Sequence, residues 1–496
     1  MFRTIAPGQS LWASVLPELA RSLPPRLAEL DAYLDDPRFY EPFRPYFHPE
    51  DGRPSVPMET YVRMMALKYR TGLGFERLCT EVSDTISWRL FCRVPFGCAV
   101  PHPSTLEKIT ARCGQGAVDQ LNEALLKKAD EEHLVKLKRV RADTTVVPAD
   151  VTYPSDAGLL KKGVARLVVL TGRLKAMGLA VRTKARDRRR SMNTRAHSIG
   201  MFLRRRTEEA KDEVLAITAE MAKIAEAALV EAAKVATRSA RTLRRQGEEA
   251  SGRAKATLAE LKDVAATLEK VLSQTKQRLA GGMPEGADRV VSFHDKDARP
   301  IRKGRIGVPV EFGYKAQLVD NSDGIVLDYV VVRGNPTDAP LLAPAVLRIK
   351  ALFGRAPMAV TADRGYGSPQ VDQDLAGLGV RQVAIPRKGR PSGARRDVEQ
   401  ARGFRTLVKW RTGSEGRIAY LKRSFGWSRA LMDGTAGAAT WCAWGVFAHN
   451  GMKLAHLAAE KQTPPASCSK RRRSVSPPGN APPGGTPPSP TPLVAA

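Results

Sequence analysis

The amino-acid sequence predicts an α/β fold: a mixed sheet with flanking helices, a helical segment before it, and a long helical insertion after its first strand. Three observations carry that reading. Apolar residues recur three and four apart through the first 135 positions. β-branched runs bounded by turn residues appear near residue 140 and resume after residue 289. Between them lies a continuous helical pattern, and strands alternating with helices belong to α/β architecture.

In residues 1–135, Val62, Met65, Leu67 and Tyr69, then Leu78 and Val82, then Ile86, Leu90 and Phe91 fall on helical spacings, broken at Gly72 and Gly74. Ser104 followed by Glu107 has the pattern of a capping box and predicts a helix start there. Short helices joined by tight turns suit a helix-turn-helix DNA reader and an ordinary helical bundle alike.

Residues 136–460 carry the sheet. "LKRVRADTTVVPAD" reads as a first strand holding Asp143. Residues 161–280 then form the insertion. Val214, Ile217, Met221, Ile224 and Ala228, and after Gly247 and Gly252, Leu261, Val264, Leu268 and Val271, predict two amphipathic helices packed as a hairpin. Strands resume in "VVSFHDKDARPI", in a hairpin turning at Asn321–Gly324, and in "MAVTADRG", with a helix over "DAPLLAPAVLRIKALFG" and further helices from about Ser368. Residues 461–496 read as a disordered basic tail, with ten prolines and no aromatic residue from Thr463 onward.

Charge is the strongest global signal. The chain has 80 Lys and Arg against 51 Asp and Glu, a formal +29. Such an excess favours a polyanionic partner through counterion release from phosphates. The insertion holds 28 basic and 13 acidic residues, a net +15, or about half of the excess. The most apolar window, Gly434 to Gly451, is short of a membrane span and contains His449 and Asn450, so a membrane partner is not expected. Six cysteines without CxxC spacing indicate neither a zinc site nor a disulfide framework, and point to a reducing compartment.

Three carboxylates stand out. From Ala401 to Met432 there are eight Lys or Arg and one acid, Glu415, flanked by Gly413 and Gly416. Asp143 lies on the first strand and Asp363 ends a later one, before a glycine-rich loop. Groups at strand ends project into the crevice where α/β sheets bind ligands. Three such carboxylates can converge on two hard divalent cations, which want oxygen ligands. Each also has an ordinary reading: Glu415 as a first-turn acid favoured by the helix dipole, the aspartates as turn or cap residues.

"DTTVV", "ADRGYGS" and "WRTGSEGRIAYLKRSFGWSR", which hold these acids in this order, resemble the DDE motifs of bacterial insertion-sequence transposases, and "YVRMMALKYRTGLGFERLC" resembles their N-terminal helical domain. In many such enzymes the Glu helix has Tyr, Arg, Glu and Lys at fixed spacing; Arg411, Glu415 and Lys422 match, while Val408 stands where the Tyr belongs, with Trp410 two residues on. The resemblance implies a ribonuclease-H-like catalytic core with Asp143, Asp363 and Glu415 as catalytic and metal-binding residues. It also implies two Mg²⁺ or Mn²⁺ ions, and transposon-end and target DNA as partners, contacted by Arg364, Arg411, Arg417 and Lys422. A homo-oligomer on DNA, in the bacterial cytoplasm and on the nucleoid, completes that picture. The spacing of Arg411, Glu415, Ile418 and Lys422 puts them on one face if one helix spans them. Two other readings stay open: a related nuclease that only hydrolyses, and a non-catalytic basic DNA-binding protein.

Overall fold

The structure is a computed structural model that describes residues 1–5, 17, 22–205, 207–247, 251–305 and 308–462. The Pro-rich tail lies outside these residues. Fifteen helices and six strands are described, a mixed α/β architecture as the sequence predicts.

Helix α1 (Pro25–Tyr33), α2 (Met58–Thr71), α3 (Phe75–Asp84), α4 (Ile86–Phe91) and α5 (Pro103–Glu131) precede the sheet. The breaks fall where the glycines predict: α2 ends on Gly72 in the left-handed conformation, φ 74°, its N–H returning to the Lys68 carbonyl. The cap of α5 is His102, not Ser104; its imidazole accepts from the Ser104 N–H, with Pro103 as the first helical residue. Every residue of α2 from Met58 to Tyr69 is buried, so this helix has no face left to lie in a DNA groove. Arg63 within it is fully enclosed, held by Asp31 at 2.8 Å and the Tyr40 hydroxyl at 2.8 Å.

The six strands are β1 (Val140–Pro148), β2 (Arg299–Arg305), β3 (Val308–Asn321), β4 (Val326–Arg333), β5 (Ala359–Thr361) and β6 (Gln382–Ala384). They form one mixed sheet in the order β2-β3-β1-β5-β6, with β4 also paired to β3. β3 is antiparallel to β1, β2 and β4, whereas β5 and β6 continue parallel to β1. The β3–β4 hairpin turns at Asn321–Gly324, where the Asn321 side chain accepts from the Asp323 and Ile325 N–H groups. "VVSFHDKDARPI" differs from expectation: only its last residues join β2, and Val290 and Phe293 pack instead into the insertion. β6 has no counterpart in the sequence pattern, since three residues are too few to show a period.

Helices α6 (Asp156–Ala176), α7 (Arg189–Phe202), α8 (Glu208–Gln246) and α9 (Gly252–Leu279) make the insertion. The expected pair, α8 and α9, is present, but α6 packs against both, and the four share a core of their own, including Leu160, Leu167, Met221, Val235, Leu261 and Leu268. The chain leaves and returns at one place, since Arg278 at the end of α9 pairs with Asp156 at the start of α6 at 2.8 Å.

After the sheet come α10 (Ala339–Phe353), α11 (Pro369–Gly377), α12 (Gly393–Gln400), α13 (Arg402–Arg411), α14 (Gly413–Ser424) and α15 (Gly434–Gln462). The apolar window is the buried stretch of α15, which packs on α1, α2, α5 and β4, so the N-terminal helices and the sheet share one core. Among the described residues, no helix is long and apolar enough to cross a membrane.

Candidate active site

The sheet register brings two of the three carboxylates side by side. β1 and β5 are parallel with Val140 opposite Val360 and Arg141 opposite Thr361. Carried two residues on, that offset sets Asp143 beside Asp363, on the same face because side chains alternate. Asp143 is mostly buried; its carboxylate accepts from the Thr144 N–H at 2.8 Å and the Ser414 hydroxyl at 2.7 Å, and Arg411 Nη1 stands 3.6 Å away. Burial raises its pKa above the usual carboxylate range and the charge of Asp363 adds to this, while the hydrogen bonds and Arg411 oppose it. Asp363 accepts from the Gly365 N–H at 2.8 Å and so caps the short 3₁₀ turn Arg364–Tyr366.

Glu415 is placed differently. The single helix expected from Arg411 to Lys422 is two, α13 ending at Arg411 and α14 beginning at Gly413, with the turn residue Thr412 between. Ser414, buried in the first turn of α14, reaches Asp143, and Glu415 beside it is exposed. It occupies the first-turn position that the dipole favours. Among the described residues, no three His, Cys, Asp or Glu side chains are gathered so that they could hold a metal ion. The donor chemistry at Asp143 and Asp363 nevertheless fits a hard divalent cation: two oxygen-bearing groups side by side, one desolvated and repelled by the other.

The four expected DNA-contacting cations divide. Arg364 is exposed beside Asp363, and Arg411 faces Asp143. Arg417 turns inward, its Nε 3.4 Å from Asp320 and its Nη1 3.0 Å from His449 Nε2. Lys422 Nζ donates to the Val146 carbonyl at 2.6 Å, tying α14 along β1. Val408, where the resemblance wants a Tyr, packs with Trp410 against Ala359, Ala384, Phe404 and Leu407. Trp410 is covered by the guanidinium groups of Arg139 and Arg141 at 4.6 and 4.8 Å.

Several residues around the site gave no signal in the sequence. Arg141 makes a bidentate pair with buried Asp320, both bonds 2.8 Å, and donates to the Trp410 carbonyl at 3.0 Å, which holds the α13–α14 junction against β1. Asp338 reads as a helix cap, yet its side chain caps nothing in α10. A β carbon on Gly365 would lie 2.7 Å from Asp338 Oδ2 and 2.9 Å from Asp363 Oδ1, so a further carboxylate stands close to Asp363. Tyr366 is buried beneath them, its phenol raised by burial and then by Asp338, Asp143 and Asp363, and it donates to Gln317 Oε1 at 3.2 Å.

Residues 18–112 match a family described as a transposase domain (DUF772), and residues 290–450 match one described as a transposase DDE domain, together just over half of the chain. The chain belongs to the insertion-sequence transposases of the DDE type. The second match begins where the insertion ends, so Asp363 and Glu415 lie inside it and Asp143 before it. The chain is 29% identical over 136 residues to the uncharacterized protein ORF8 in the nfe locus of Rhizobium meliloti, covering 26% of this chain and 65% of that protein. It thus spans slightly less than two thirds of that relative. No solved structure matches the chain.

Proposed function

We propose that the protein cuts transposon ends and joins them to target DNA by metal-dependent phosphoryl transfer. The observation that carries this reading is the β1–β5 register, which sets Asp143 beside Asp363, with α14 and its Glu415 tethered to Asp143 through Ser414. Asp143, Asp363 and Glu415 would hold Mg²⁺ or Mn²⁺. When bound, such ions supply activation of an attacking oxygen and stabilisation of a leaving one. The chain's own residues do the positioning. Arg411 and Arg364 flank the aspartates and take the phosphates beside the scissile one. Arg141 and Lys422 fix the helix that carries Glu415. The basic insertion adds phosphate contacts along the DNA, and the protein works as a homo-oligomer on DNA ends in the bacterial cytoplasm.

A specific observation favours a second reading: Glu415 is exposed in a first helical turn, as it would be in a non-catalytic basic DNA-binding protein. Incubating the protein with DNA carrying the flanks of its own gene, with Mg²⁺ and with chelator, separates the two. Cleavage that needs Mg²⁺ and vanishes in Asp363→Asn supports the enzyme; binding without cleavage supports the alternative. Pre-cut ends offered with a plasmid target then distinguish strand joining from hydrolysis alone.

A further inference from the structure

On the flank of α14 away from Lys422, a cleft of about 410 Å³ opens between that helix, α15 and the N-terminal helices α1 and α2. Its walls are cationic and aromatic. Arg26 comes from α1, Arg70 from the last turn of α2, Arg417 and Tyr420 from α14, and Lys453 from α15. Acid compensates little of this charge. Glu29 is taken up by Arg26 at 3.2 Å and His456 at 3.3 Å. Asp320 is already paired with Arg141 by two bonds, so it only shares itself with Arg417. Among the described residues, neither Arg70 nor Lys453 has a carboxylate partner.

Buried His449 backs this wall. Its Nε2 accepts from Arg417, and desolvation together with Arg417 and Lys453 holds it neutral, its pKa pushed down to about 3. The aromatic wall is ordered. Tyr420 packs edge-on against Phe425 (ring centroids 5.3 Å apart) and against His449 (5.8 Å), and remains 38% exposed. Arg70 sits over Phe425 at 5.7 Å. The volume is that of a small-ligand pocket, roughly 300–1,000 Å³, enough for a nucleotide and too small for a folded partner.

We propose that this cleft seats one nucleotide of a DNA strand, its phosphate between Arg70 and Lys453 and its base against Tyr420. Cationic grooves interleaved with aromatic side chains are how proteins hold single strands without reading sequence. The seat lies near the carboxylates: Tyr420 is six residues along α14 from Ser414, a rise of about 9 Å. A strand running through the site can therefore reach it. Its walls come from both segments that match transposase families, Arg26 and Arg70 from the first and Arg417 and Tyr420 from the second. The inference rests on the reading of the chain as acting on DNA.

The test uses the full chain and a fluorescent mixed-sequence duplex with a single-stranded extension, its binding followed by anisotropy across a salt series. Each phosphate contact contributes a slope of about 0.7–0.9 in log K against log salt, so Arg70→Ala with Lys453→Ala should flatten the slope by roughly one contact or more. Tyr420→Ala should weaken binding of the extended duplex several-fold and leave a blunt duplex unaffected, while Tyr420→Phe binds as the parent does. Photocrosslinking from an iodinated pyrimidine in the extension should label the peptide containing Tyr420. Circular dichroism of each variant confirms that it folds. An unchanged salt slope with no crosslink overturns the seat; a flattened slope with Tyr420→Ala binding normally overturns the stacked base. A protein that never cleaves DNA, yet shows these dependences, keeps the seat and loses the enzymatic reading.

Discussion

The Arg141 guanidinium occupies the space where a β carbon on Gly413 would stand, closer than the 3.0 Å that real β carbons respect. The glycine before Glu415 is therefore a matter of packing: it lets the junction of α13 and α14 close onto the Arg141–Asp320 pair. Gly413→Ala should push Arg141 off Asp320 and destabilise the protein by about 1–3 kcal/mol, the usual cost of overpacking. Gly416 is the control. An added β carbon there meets nothing within 4 Å, so Gly416→Ala should gain about 0.5–1 kcal/mol from helix propensity alone. Denaturant unfolding of the two variants checks both signs.

Ser414 is placed to set the carboxylate that it touches. Its hydroxyl donates to Asp143 Oδ2, and groups that orient a metal ligand typically contribute 10–100-fold to affinity, by order of magnitude. Ser414→Ala should weaken Mn²⁺ binding by about that factor, measured by calorimetry. Cleavage should return as Mg²⁺ is raised. A rate loss that persists at saturating metal would assign Ser414 a role other than orienting Asp143.

His449 makes the stability of the protein depend on acid. Its folded pKa of about 3 lies below the ordinary 6.5, so protons bind the unfolded chain first. The stabilisation is complete above the unfolded pKa and is lost as pH falls below it. Between about pH 7 and pH 5 the loss should reach about 2 kcal/mol, at 1.36 kcal/mol per pH unit. Melting curves across that range should fall for the parent and fall less steeply for His449→Gln. Equal slopes would mean that other groups carry the acid limb.

What the sequence made legible is what has a local period or a local break. The glycine stops of α2 and α10, the β3–β4 turn and the strand holding Asp143 all depend on neighbours in the chain. Contacts between distant residues left no such trace. Nothing near Arg141 names Asp320 as its partner, and Asp338 is indistinguishable from a cap until the sheet places it near Asp363. Charge spacing was only partly informative: Arg411, Glu415 and Lys422 lie on one ideal helical face, but the helix breaks at Thr412, and while Arg411 and Lys422 turn toward β1, Glu415 is exposed. Strand-end positions and the family resemblance both point to Asp143 with Asp363, and the physical basis of their pairing is a strand register that sequence does not encode locally.

The insertion offers the last test. Its core, from Ala157 to Leu272 with Val290 and Phe293, is separate from the core shared by the sheet and the N-terminal helices. Its two ends meet at the Arg278–Asp156 pair, so a short Gly/Ser linker can replace residues 156–279 without stretching the sheet. Phe293 then loses its cover, since it packs against Gly163 and Leu268 of the insertion. Val290, in the same core and bonded to Gln274 of α9, loses its cover as well, so the deletion should carry Val290→Ser and Phe293→Ser. The shortened protein should melt in one cooperative transition near the parent's, because among the described residues the sheet and the N-terminal helices share a core separate from that of the helices removed. Its DNA affinity should fall and its salt dependence flatten, because residues 156–279 take 28 basic and 14 acidic residues, a net +14, with them. Thermal melting and limited proteolysis check the first expectation, and anisotropy across salt checks the second. A shortened chain that aggregates or is digested throughout would show that the helices complete the catalytic core; one that folds and binds DNA with an unchanged salt slope would show that their charge only keeps the surface soluble.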